Sequence, residues 1–185
     1  MKHLAFLLVL LSVLLLAGCT SSQESSNGAD VFEKIYASDP QRAHVGKELQ
    51  SGYSFVDIQG NSFTIESLKG KPLVIETFFV SCPSCAQTIK NFRELHDKYG
   101  DKITIIYFDI NPADTNQDIA ELKEKYNGGD WLWVKYDENS ASFLQSNGIR
   151  GSDITYIVDK KGFIRDAYSI IPPVQRLDKS IAELI

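Results

Sequence analysis

The stretch KPLVIETFFVSCPSC, residues 71–85, decides the fold. Residues 73–80 are almost continuously apolar and rich in β-branched and aromatic side chains, the pattern of a central strand buried on both faces. Two cysteines two residues apart close the run. Pro83 suits the first helical position, where a missing N–H costs nothing. A helix is therefore expected over 83–99, with Ile89, Phe92, Leu95 and His96 at helical spacing and Gly100 ending it. Upstream, residues 53–70 alternate apolar and polar around Gly60-Asn61 and predict a β-hairpin. Downstream, residues 102–110 predict a second buried strand, 116–126 a helix, 131–137 a short strand and 139–146 a short helix. Residues 154–170 predict a hairpin turning at Lys160-Lys161-Gly162, and 173–185 a closing helix. The order gives an α/β domain with a mixed central sheet flanked by helices and an N-terminal β-hairpin addition. The aromatic stripe of Phe78, Phe79, Tyr107, Phe108, Trp131 and Trp133 is expected in its core.

The Cys82-x-x-Cys85 pair falls at the strand-to-helix junction. At a helix N-terminus, unpaired backbone N–H groups and the helix dipole stabilise a thiolate, so the Cys82 thiol pKa should fall. Cys85 lies one turn deeper and is more shielded, yet within reach of the Cys82 sulfur. Cys82 would attack or be attacked, and Cys85 would resolve the mixed disulfide. A structural disulfide would close a very short loop, which takes little entropy from the unfolded chain. A zinc half-site would need a second ligand pair. His96 is eleven residues past Cys85, about 16 Å along a helix axis. The strand–CxxC–helix context favours a dithiol–disulfide centre over both, with no metal assigned.

The chain of 185 residues is 43% hydrophobic and 23% charged, enough for one core and short for two. A net charge of −5 without a Lys/Arg cluster excludes nucleic acid as an expected partner. Its three cysteines are an odd number, and Cys19 accounts for the third. Lys2 precedes a short apolar run that ends LLAGCT, with Ala17 and Gly18 just before Cys19. The run is too short for a membrane span and fits an export signal. Residues 16–19 resemble the lipobox of prokaryotic lipoproteins. That resemblance implies cleavage before Cys19, lipid on its sulfur, and anchoring at the extracytoplasmic face of the cell membrane, where disulfides persist. Residues 1–18 are thus expected to be a signal peptide and 19–45 a lipidated N-terminus and flexible, Ser-rich tether. Residues 30–38 have a weak helical period that Pro40 stops, read as a short packing helix or part of the tether. The domain proper is expected over 46–185.

The segment GKPLVIETFFVSCPSC followed by a helix resembles the thioredoxin fold, and most of all the extracytoplasmic thiol-disulfide oxidoreductases of the TlpA/ResA type. The resemblance spans roughly residues 46–171. It implies reversible disulfide exchange without a dissociable cofactor, with exported protein thiols and disulfides or a membrane electron donor as partners. Glu76 occupies the position of the buried acid beneath the active site in such proteins. On a buried strand its pKa should rise, and it could take the Cys85 proton during resolution. The active-site loops would comprise Ser81, Pro83 and Ser84 on one side and Ser152 and Asp153 on the other. Two residues depart from the pattern. Ser81 stands where relatives carry Trp, and Asp153 where they carry a cis-proline. The Ser152–Asp153 bond is expected trans, because a non-proline cis bond costs about 2.5–4 kcal/mol. An ionised Asp153 near Cys82 would raise the thiol pKa against the helix dipole.

Three other readings stand beside this one. Residues 108–134 are reminiscent of copper chaperones of the SCO type, but that family's site has a three-residue gap between cysteines and a histidine in the late loop. A peroxiredoxin-like peroxidase would place Thr three residues before the reactive cysteine, where this chain has Phe79, and an Arg in the facing loop, for which Arg150 is the candidate. A non-catalytic lipoprotein that kept the fold is the fourth.

Overall fold

In a computed structural model, which describes residues 26–185, the largely apolar run becomes the centre of a five-stranded sheet. The elements are α1 (Ser26–Ala37), β1 (Ser54–Val56), β2 (Ser62–Thr64), β3 (Leu73–Phe78), α2 (Cys85–Tyr99), β4 (Thr104–Asp109), α3 (Asn116–Lys125), β5 (Leu132–Val134), α4 (Glu138–Ser146), β6 (Thr155–Val158), β7 (Ile164–Tyr168) and α5 (Val174–Ala182). The sheet order is β5-β4-β3-β6-β7. β3, β4 and β5 run parallel, β6 pairs antiparallel with β3, and β7 pairs antiparallel with β6. This is the mixed sheet flanked by helices that the sequence predicts. Every residue of β3 is buried, which is why it lacks the polar alternation of a half-exposed strand.

The pleat sorts β3 into two faces. Leu73 and Ile75 join Ile106, Phe108 and Val134 in a cluster with Phe143 and Leu144 of α4. The β1–β2 hairpin closes this side through Phe55, whose ring lies 5.1 Å from Phe108 and 5.2 Å from Phe143. Burying one such ring contributes about 1.5–3 kcal/mol, so the hairpin is part of the core. On the opposite face Phe78 packs against Tyr107 and Trp133, and Phe92 of α2 packs against Tyr107. Glu76 pairs in register with Tyr107 and lies on this second face, the one that α2 covers.

Residues 35–185 form one compact unit. Residues 36–44, expected in the tether, belong to the folded domain. Tyr36 is 4% exposed and its hydroxyl donates to Asp166. Asp39 accepts from the Ser169 amide at 2.7 Å and its hydroxyl at 2.9 Å. The His44 ring lies 5.9 Å from that of Tyr156. These anchors are single side chains with no period to reveal them. Just beyond, Gly46 donates to Ile164 O and Ile164 donates to Lys47 O, covering part of the edge strand β7. The expected signal peptide and Cys19 lie outside the described residues.

Candidate functional site

The chain leaves β3 at Phe78 and enters α2 at Cys85, so the CPSC segment sits at the carboxyl end of a central parallel strand. The helix begins two residues later than the sequence predicts. Ser84 is its N-cap and Pro83 precedes the cap, so Cys82 lies in the loop just outside the first turn. The Cys82 amide donates to Phe79 O at 3.0 Å. The free N–H groups of the first turn still point toward this loop. Cys82 and Cys85 are disulfide-bonded with a Cα separation of 5.5 Å. Cys82 is 8% exposed and Cys85 fully buried, which orders them as accessible and shielded sulfur. Ser81 and Pro83 stay exposed on the rim.

Asp153 enters from the facing loop. Its peptide bond to Ser152 is trans, and its φ is +56°. Asp tolerates this left-handed conformation better than most residues because its short side chain bonds locally. Thr77, near the end of β3, fixes the loop. The Asp153 amide donates to Thr77 O at 2.9 Å, and the Ile154 amide donates to Thr77 Oγ1 at 3.1 Å. A proline at 153 could offer neither that N–H nor that φ. So held, the Asp153 carboxylate faces the disulfide. Both its oxygens lie 3.8 Å from Cys82 Sγ, and Oδ1 lies 4.0 Å from Cys85 Sγ. Ser84 Oγ donates to Asp153 Oδ2 at 2.6 Å and sits 3.2 Å from Cys82 Sγ. Asp153 is thus at the sulfurs, with its carboxylate beside Cys82. Ser152 precedes it, half-buried. The Ser84 bridge has no sequence signal, because serine at a helix cap ordinarily serves the backbone.

Glu76 is fully buried. Its Oε2 accepts from Thr155 Oγ1 at 2.5 Å, while Oε1 has no hydrogen-bond partner among the described residues. Burial pushes its carboxyl up to about 8; the Thr155 hydroxyl pulls it down and the Asp153 charge pushes it further up. A carboxyl in this state can hold a proton near neutral pH and release or collect it as the sulfurs change. Thr155, its register partner on β6, and Tyr107, its partner on β4, complete the surroundings. Burial, then the Glu76 charge, raise the Tyr107 hydroxyl well above its usual range. Thr155 and Tyr107 were not among the expected site residues; strand register alone reveals them.

A search of solved structures finds the same architecture in redox proteins. The thioredoxin domain of a thiol-disulfide oxidoreductase from Bacteroides vulgatus aligns with TM-score 0.64 and 19% identity, over 74% of this chain and 97% of that one. A putative electron transfer protein from Aquifex aeolicus aligns with TM-score 0.64 and 22% identity, over 76% and 98%. This chain has the thioredoxin-like fold. The family description SCO1/SenC matches residues 41–131 of the thioredoxin-like chain. Among curated proteins it is similar to the thiol-disulfide oxidoreductase ResA of Bacillus anthracis, 25% identical over 136 residues, 73% of this chain and 75% of that protein. It is also similar to the glutathione peroxidase-like peroxiredoxin HYR1 of Saccharomyces cerevisiae, 27% identical over 151 residues, 70% of this chain and 92% of that protein. Of the features a peroxiredoxin-like site was expected to need, Phe79 offers no hydroxyl, and Arg150 is exposed with no hydrogen bond or ion pair to the described site.

Proposed function

We propose that this thioredoxin-like chain is a thiol-disulfide oxidoreductase that exchanges disulfides through Cys82 and Cys85. One observation carries the reading: an accessible and a shielded cysteine, already bonded, at a strand–helix junction, on the sheet side that holds a buried, proton-retaining Glu76. In the dithiol state Cys82 Sγ attacks a partner disulfide. The ionised form of Glu76, a minor fraction at neutral pH that grows toward pH 8, takes the Cys85 proton, directly or through water, as Cys85 Sγ displaces the partner from Cys82. Water exclusion from Cys85 confines that second attack to the neighbouring sulfur. The partners are exported proteins or a membrane electron donor. Lipid on Cys19 holds the domain at the extracytoplasmic face; the support is the apolar leader and the LAGC sequence. Among the described residues no helix is long and apolar enough to cross a membrane.

The SCO1/SenC match favours weighing a copper cargo against this. The donor set fits it poorly. Among the described residues, the group that gathers with the two sulfurs is the Asp153 carboxylate, with no imidazole. A hard oxygen ligand is ill matched to soft Cu(I).

The reading is tested by mixing the reduced protein with a disulfide-bonded model protein such as insulin. Alkylation and intact mass follow both chains. Stoichiometric appearance of the Cys82–Cys85 disulfide with loss of the model disulfide is expected. No transfer, with Cu(I) bound stoichiometrically by the same preparation, would replace exchange by metal handling.

A further inference from the structure

Asp153 is more than a substitute for a missing proline. Its side chain is half-buried against both sulfurs and, among the described residues, the hydroxyl or N–H group that donates to it is the uncharged Ser84 hydroxyl. Among the described residues it forms no ion pair. Arg150, three residues earlier in the same loop, is exposed and unpaired with it. The charged or titratable groups that face it from β3 and β4 are Glu76 and Tyr107, which add no positive charge. A second acid lies beside the cysteine loop: Asp114 Oδ2 accepts from the Val80 amide at 2.7 Å, its Oδ1 accepts from Asn111, and it too has no ion pair among the described residues. Two carboxylates, Asp153 against the sulfurs and Asp114 on the Val80 amide, thus flank the cysteine loop with no ion pair among the described residues.

We infer that Asp153 is a specificity-determining residue, and that the site takes disulfides flanked by positive charge, such as a cysteine beside Lys or Arg. The inference rests on the exchange reading. As Cys82 Sγ attacks, the new Cys82–partner bond forms, the partner's own S–S bond breaks, and the leaving sulfur carries off the electron pair. Cys85 Sγ then attacks Cys82 Sγ and expels the second partner thiolate. The chain loses two electrons, the partner gains two, and the two thiol protons are released. Negative charge spreads over the sulfurs in each transfer, less than about 4 Å from a fixed carboxylate. A cation carried by the partner offsets that repulsion, whereas an anion adds to it.

Three small disulfides separate charge from size: cystamine, with two ammonium groups, neutral 2-hydroxyethyl disulfide, and dithiodiglycolate, with two carboxylates. Oxidation of the reduced full-length chain is followed by acid quench, alkylation and intact mass. Each rate is divided by that of the Asp153→Asn variant with the same disulfide, which cancels intrinsic leaving-group differences. Asn suits the left-handed backbone and can still accept from Ser84. The normalised rates for cystamine and dithiodiglycolate should differ about tenfold or more at low ionic strength and converge near about 0.5 M salt. Asp153→Glu should keep the order. Equal normalised rates for all three disulfides would overturn the inference and leave exchange standing. Failure of every disulfide to oxidise the protein would overturn the exchange reading itself. If Asp153→Asn does not fold, salt decides on the parent chain, slowing cystamine and accelerating dithiodiglycolate; the same salt response for both refutes the selection.

Discussion

Cys82→Ser abolishes disulfide exchange, and Cys85→Ser leaves the first step intact but accumulates mixed disulfides through Cys82. The asymmetry follows from burial. Cys82 has the residual accessibility that a partner sulfur needs, and Cys85 has none. A serine hydroxyl at 82 is far less acidic than a thiol and forms no stable bond to sulfur, so exchange should fall to the uncatalysed background. A serine at 85 cannot displace the partner, so the covalent adduct persists until an external thiol cuts it. Non-reducing electrophoresis with mass spectrometry reads both variants. Exchange retained in Cys82→Ser, or adducts trapped on Cys85 in place of Cys82, would reverse the roles.

Glu76→Gln should have the largest effect on stability, and its sign depends on pH. The native carboxyl retains its proton up to about 8, against an ordinary value of 4.5. Unfolding therefore releases a proton between those values, and the native state loses about 1.4 kcal/mol of stability for each pH unit over that window. The contribution is most favourable below the unfolded pKa, declines as pH rises and levels off above the folded pKa. Glutamine keeps an acceptor for Thr155 and cannot ionise. Parent and variant should be similar near pH 4–5, and the variant more stable by several kcal/mol above pH 8, as read by urea unfolding. A parent–variant difference that does not change with pH would mean that Glu76 does not titrate in this window. The same variant should exchange more slowly and accumulate mixed disulfide with both cysteines present, because Cys85 loses its proton acceptor.

The stability gain and the catalytic loss have one origin. A carboxyl with one bonded and one unbonded oxygen inside the sheet is costly when charged, and that cost is what keeps a proton near the shielded cysteine.

How much of this was legible before the fold was known depends on range. The central strand stands out because burial on both faces erases alternation, and Glu76 stands out as the acid inside it. The cysteine pair is legible for the same local reason, since a strand ends and an amphipathic helix begins around it. The start of α2 was misplaced because Pro83 suits a first helical turn as well as a pre-cap loop; Ser84 takes the cap here. Residues 36–44 fall in the domain and not the tether because Tyr36 and Asp39 dock through individual side chains onto Asp166 and Ser169, about 130 residues away. Asp153 was legible as a substitution in the facing loop. That its carboxylate turns onto the sulfurs was not, because Thr77 and a positive φ aim it, and both are set by packing between strands.

The reduction potential of the Cys82–Cys85 pair tests the central claim most directly. The purified protein would be equilibrated in thiol–disulfide buffers of set potential, quenched, alkylated and weighed. The account predicts a reversible two-electron transition between about −270 and −120 mV. A pair that stays oxidised far below that range would be a structural staple, and one that never forms a disulfide would not be a redox centre; either contradicts the account.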